Sequence, residues 1–253
     1  MTRSNLIKSS LLCLVVGTAQ AETIIDEINR SFPVGDSPKF ALSNINGDAV
    51  ITTCDCSTIT VNATIKASSQ EQRDRISIEF DNSSNLVEVQ TRYKKRSSWN
   101  KWNNGNSSVT YAVTLPKNTE LDKVDQVNGD IEVKGITGSI KAESVNGTIT
   151  ISDAQSDADI STVNGTLTIS YTDLSKVNDV ELSSVNGSLT VYLPENADAK
   201  VSAETVNGRI SNSFGLTVEK GRWVGNSMKG TIGSGRVDVS LESVNGRVKL
   251  KSL

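Results

Sequence analysis

Nearly every segment of this chain alternates apolar and polar residues with a period of two. Ile76-Ser77-Ile78-Glu79-Phe80, Val87-Glu88-Val89 and Val109-Thr110-Tyr111-Ala112-Val113 show the pattern. A period of two puts the apolar set on one face of a strand, so these runs predict half-buried β-strands. Thr, Val, Ile and Ser dominate, and no long stretch repeats at the helical period. One short helix is predicted near Ser68 to Arg75, where charges leave little apolar face.

The alternation is punctuated by a motif. Asn-Gly preceded by Val or Ile occurs seven times: Ile45-Asn46-Gly47, Val127-Asn128-Gly129, Val145-Asn146-Gly147, Val163-Asn164-Gly165, Val185-Asn186-Gly187, Val206-Asn207-Gly208 and Val244-Asn245-Gly246. From Asn128 onward the steps are 18, 18, 22, 21 and 38 residues. Self-similarity at such a period marks a repeat architecture. The pattern is irregular over 22–117 and regular over 118–253, which suggests an N-terminal β region followed by a repeat region, or one continuous domain over 22–253.

Asn-Gly between alternating strands is also a strong hairpin signal. In a two-residue hairpin at Asn146-Gly147, Ile140, Ala142, Ile149 and Ile151 share one face, and Val145 lies on the other. The same Val is then stranded outside in every copy. A corner at Asn-Gly lets the Val turn inward and stacks equivalent residues coil upon coil. The expectation is therefore an all-β chain folded as a single-stranded β-solenoid, right-handed, with an antiparallel hairpin meander as the alternative. Stacked asparagines predict an internal hydrogen-bonded ladder, as in other in-register stacks. Each glycine is expected to supply a positive φ or room for close packing.

Residues 1–21 resemble a secretory signal peptide. Arg3 and Lys8 precede the apolar run Leu11 to Val16, and Ala19-Gln20-Ala21 fits the small-x-small cleavage pattern. That run is shorter than the roughly 20 residues a spanning helix needs, and no later segment is more apolar, so an integral membrane protein is not expected. Without 1–21, 24 basic and 29 acidic residues remain, a net charge of −5 with interspersed signs. This balance argues against a nucleic-acid partner. The localisation implied is export, to the periplasm or the cell surface.

The chain has no histidine. Ser-His-Asp and Cys-His nucleophile systems, zinc-protease motifs and histidine acid–base chemistry are thereby excluded. No phosphate loop or dinucleotide fingerprint occurs, and no cofactor is implied. Cys54 and Cys56 flank Asp55 between two strand-like runs. A small-loop disulfide needs a local bend there, and the sequence leaves that pairing open; two thiols make an incomplete metal set. Asp153, Asp157 and Asp159 cluster in a loop and are expected to be a solvated turn.

One stretch departs from the repeat. Residues 92–105 hold Tyr93, Lys94, Lys95, Arg96, Trp99 and Trp102, with two of the three tryptophans in the chain. Aromatic rings beside basic groups can grip glycans, lipid head groups or peptides, which makes these six the candidate partner contact. A long hairpin packing its tryptophans back on the sheet is the competing explanation. Trp223 with Arg222 is expected to cap one end of the stack.

Ser31-Phe32-Pro33-Val34, Ser43-Asn44-Ile45-Asn46-Gly47-Asp48, the serial Val-Asn-Gly copies, and Gly221-Arg222-Trp223 with Lys229-Gly230-Thr231 together resemble the DUF4097 family. Its members are exported bacterial β-strand-repeat proteins described as candidate adhesin domains. The resemblance implies a β-helical surface or periplasmic protein and supplies no catalytic residues. The expected function is a non-enzymatic scaffold or adhesin-like binding protein, with an envelope protein or a glycan as partner. Two alternatives stay open: an envelope-stress or regulatory component that binds another envelope protein, and a carbohydrate-active enzyme using paired carboxylates.

Overall fold

The computed structural model describes residues 23–83, 85–94, 106–221 and 224–253. The predicted strands form, and they stack as a β-solenoid. Each coil contributes one strand to each of two sheets, one of eleven strands and one of ten among the described residues. In the coil 140–152, for example, Ile140–Asn146 lies in the eleven-stranded sheet and Ile149–Ser152 in the ten-stranded one, with Asn146-Gly147 turning between them. Equivalent strands pair in parallel and in register: Ile140 faces Ala158 and Asn146 faces Asn164, while Ile149 faces Leu167 and Ile151 faces Ile169. The hairpin alternative is thereby excluded at the motif copies.

Alternation fixes the core. Ala142, Ile160, Leu182, Leu241 and Ala203 form one inward column across the eleven-stranded sheet. Ile151, Ile169, Val191 and Leu250 form a facing column from the other sheet. All are fully buried or nearly so. Each buried Ile or Leu contributes about 1.5–3 kcal/mol of transfer free energy, so the columns carry most of the driving force.

The stacking order departs from chain order at both ends. In space the coils run 86–116, 39–54, 120–134, 140–152, 158–170, 179–193, 237–252 and 199–212. The first coil in the chain is thus inserted between later ones, and the C-terminal coil sits between 179–193 and 199–212. Antiparallel strands close the ends. Ile24–Pro33 and Thr58–Ala67 cover Ser107–Pro116, Ile76–Ser83 covers Leu86–Tyr93, and Asn226–Ile232 with Val218–Lys220 covers Ala199–Thr205. Capping of this kind blunts open edges. Residues 222–223, assigned from sequence as a cap, lie outside the described residues.

The short helix is one turn, Gln70–Arg73, capped by the Ser69 side chain, which accepts from the Gln72 amide. A disulfide joins Cys54 to Cys56 across the turn leading to Thr58–Ala67, with Cα atoms 5.3 Å apart. No helix among the described residues is long and apolar enough to cross a membrane.

Candidate binding groove

At the Asn-Gly corner, alternation continues one residue further than the sequence argument allowed. Ile140, Ala142 and Ser144 face inward, so Val145 faces outward. The same holds in every copy: Ile45, Val127, Val145, Val163, Val185, Val244 and Val206 are all 38–48 % exposed. The expectation that this residue turns inward is therefore corrected. The inward place belongs to the residue before it, which is polar each time: Asn44, Gln126, Ser144, Thr162, Ser184, Ser243 and Thr205, all buried. In three copies this residue donates to a corner carbonyl, whereas the buried side-chain polar atoms of Gln126, Ser144, Thr162 and Ser184 have no hydrogen-bond partner among the described residues. Ser243 Oγ donates to the Gly187 carbonyl at 3.3 Å, Thr205 Oγ1 to the Gly246 carbonyl at 3.2 Å, and Asn44 Nδ2 to the Val109 carbonyl at 2.9 Å.

The asparagines form the expected ladder, on the outside and not the inside. In the order Asn46, Asn128, Asn146, Asn164, Asn186, Asn245 and Asn207, each Nδ2 from Asn128 onward donates to the Oδ1 of the asparagine before it at 2.8–3.0 Å. Most of these side chains are exposed. They lie outside because Val145 faces outward by alternation and Asn146, the last residue of its strand, stands at the corner. Gly129, Gly147, Gly165, Gly187, Gly208 and Gly246 are needed for close approach: a Cβ on Gly165 would meet the Gly147 carbonyl oxygen at 1.8 Å, and one on Gly187 the Gly165 oxygen at 1.6 Å. No side chain fits such a gap.

The outward aliphatic row floors a groove of about 930 Å³ that runs from Val127 to Val206 and ends against Val224, Gly225 and Asn226. At one coil spacing of about 4.8 Å, these six coils span about 24 Å. Two residues back along each strand a second row forms one wall: Asp125, Glu143, Ser161, Ser183, Glu242 and Glu204. Asp125 pairs with Lys123 at 2.9 Å and Glu204 with Lys229 at 3.4 Å. The Asp125 pair raises the Lys123 ammonium above its usual range by hydrogen bonding and charge.

The candidate contact residues fall differently. Tyr93 is half-buried and packs on the core; burial pushes its hydroxyl up, partly offset by the neighbouring Asn46 side chain. The Lys94 backbone is held by Arg75, whose carbonyl accepts from the Lys94 amide at 2.9 Å. Lys95, Arg96, Trp99 and Trp102 lie outside the described residues. Leu86–Tyr93 pairs in parallel with Lys39–Asn46, with Ser43 opposite Gln90.

Within the acidic cluster Asp157 has a structural role, and Asp159 lies in the strand Ala158–Asn164. Asp157 Oδ1 accepts from the amides of Asn178 and Asp179 at 2.6 and 3.2 Å, which fastens one coil's start to the next. Among the described residues no group of three or more His, Cys, Asp or Glu is placed to hold a metal. Sequence reasoning missed the aliphatic groove, although its signal was present: a polar residue occupies the inward place before every Val or Ile of the motif.

Parallel coils, two facing sheets and antiparallel end caps define a capped β-solenoid with one grooved corner. The segment 123–251 matches the family model described as Toastrack DUF4097, and the chain belongs to that family. The solved structure of a proposed cell adhesion protein from Clostridium sporogenes is similar over 90 % of this chain and 100 % of its own, with 18 % identity and a TM-score of 0.55. A proposed adhesin from Bacteroides fragilis covers 90 % of this chain and 97 % of its own, with 14 % identity and a TM-score of 0.44. At such identities the likeness is one of fold. No curated protein matches the chain.

Proposed function

We propose that this protein is an exported, non-enzymatic binding protein of adhesin type, acting in the periplasm or at the cell surface, with the corner groove as its contact surface. The observation that carries this reading is the row of aliphatic side chains left in solvent at every motif copy. Scattered exposed Val residues need no explanation, whereas a continuous apolar strip rimmed by polar residues is the form interaction sites take. The fold depends on them less than on the core columns and the asparagine ladder, because the row is partly exposed. The N-terminal signal-like segment supports export, and the similar Clostridium sporogenes protein, named as a proposed cell adhesion protein, supports binding.

A second reading, polysaccharide cleavage by paired carboxylates, draws support from Glu242 and Glu204, which are neighbours in register. Glycoside hydrolysis places its two carboxyls on opposite sides of the scissile bond. Here both project from one wall, and Glu204 is tied to Lys229. The arrangement therefore favours binding.

The combined variant Val145→Ser, Val163→Ser, Val185→Ser tests the proposal. Its circular dichroism should match that of the parent, with a modestly lower melting temperature from the lost strand packing. Its retention on cell-envelope fractions should fall about tenfold or more, from lost apolar contact. Unchanged retention by a folded variant would overturn the reading.

A further inference from the structure

The groove is chemically lopsided. Its lining contains Asp125, Glu143, Glu242 and Glu204 and, among the described residues, no Lys or Arg. Asp125 and Glu204 are paired from outside the groove, whereas Glu143 and Glu242 have no ion-pair partner among the described residues. These two lie three coils apart in the stack, about 14 Å at the coil spacing. Between them Ser161 and Ser183 carry hydroxyls with no hydrogen bond inside the protein among the described residues.

Resting on the reading of this groove as the contact surface, we propose that its occupant is an extended, basic polypeptide segment. Its alternate side chains would be apolar, lying on the Val row, and its cations would lie four residues apart on the other side, meeting Glu143 and Glu242. The spacing follows from chain geometry. Residues i and i+4 of an extended strand point the same way and lie about 13–14 Å apart, the separation of the two free carboxylates. Residues i+1 and i+3 then face the aliphatic floor. The serine pair falls opposite the segment's middle, where its peptide groups need hydrogen-bond partners. An anionic lipid head group would meet four carboxylates, and a neutral glycan could donate hydroxyl hydrogen bonds to Glu143 and Glu242 but would bring no charge to balance theirs. A cationic, apolar polypeptide answers both rows.

The test uses the full chain and fluorescein-labelled peptides in anisotropy titrations. The probe is Ser-Val-Lys-Val-Ser-Val-Lys-Val-Ser, with the two lysines four residues apart. It should bind saturably. The double variant Glu143→Gln, Glu242→Gln should weaken it about tenfold, and added salt should weaken it further. Val163→Ser with Val185→Ser should weaken it similarly. The same peptide with Glu in place of both Lys should not bind. Both variants change exposed positions and should keep the parent's circular dichroism spectrum. Equal binding of the Glu peptide, no binding of the Lys peptide, or indifference to the two Glu→Gln changes would each overturn the inference. If the Lys peptide fails while the Val variants still lose envelope retention, the groove remains the contact surface and only its occupant is wrong. If retention is also unchanged, the groove reading itself fails.

Discussion

The residues that recur most faithfully in this chain divide into those that hold the stack together and those the stack displays. Asn164 belongs to the first kind. It donates to Asn146 and accepts from Asn186, so Asn164→Ala removes two ladder bonds. Exposed amide bonds compete with water, and the expected loss is about 1–2 kcal/mol, read as a lower denaturant midpoint. Asn207 ends the ladder with a single bond, to Asn245, so Asn207→Ala should cost roughly half as much. Val145 and its equivalents belong to the second kind. A recurring Val does not need an inside position: the chain turns at Asn-Gly so that neighbouring coils can close backbone bonds, such as the Gly165 amide to the Asn186 carbonyl at 3.0 Å.

At the scale of the strand, the start of each coil is as regular as its corner. Asp157, Asp179 and Asp238 stack at equivalent positions. Burial, and then the charges of Asp157, Asp238 and Asp159, push the Asp179 carboxyl above the ordinary carboxylate range. An unfolded Asp titrates near 3.9, so between that value and the higher folded one the native chain holds the extra proton. Stability from this group is therefore greatest in acid and is lost as pH rises through the folded value. Asp179→Asn should raise the melting temperature at pH 7, by about a degree or two given the exposed setting, and leave it unchanged near about pH 3. The opposite logic holds at the turn into the last coil. Hydrogen bonds from Ser234 and from the amides of Arg236, Gly235 and Ser234 hold Asp198 below the usual carboxylate range, so this turn is favoured at neutral pH and weakened in acid.

Across the whole molecule, the inserted C-terminal coil makes the stack more cooperative than a sequential solenoid. In a simple repeat array the last repeat frays with little effect on the others. Here the strands Val237–Asn245 and Arg247–Ser252 separate two other coils, and Arg236 binds the Val177 carbonyl at 3.0 Å and the Leu174 carbonyl. Deleting 237–253 would leave 199–232 without its parallel neighbour and expose the edge of 179–193. Limited proteolysis of this truncation should show rapid cleavage within 199–232, whereas the parent chain resists at the same enzyme ratio. Survival of 199–232 in the truncated protein would mean that this segment holds its fold without the inserted coil.

What the sequence determined by itself is the local geometry: the period-two strands, the corners at Asn128-Gly129 and its equivalents, the stacking of asparagines and the family. Each is set by backbone periodicity and by short-range sterics, which a single coil carries. What only the tertiary structure decided is which coil lies beside which, and therefore what the groove contains. Every coil offers its neighbours the same backbone groups and the same Asn, so local pattern cannot rank partners. The 38-residue step from Asn207 to Asn245 was the one hint that a coil's length of chain lies outside the repeat. The insertion of 237–252 brings Glu242 beside Ser183 and Glu204, and so sets the spacing of free carboxylates along the groove. That spacing is a property of the stack, fixed by sheet pairing between segments far apart in the chain.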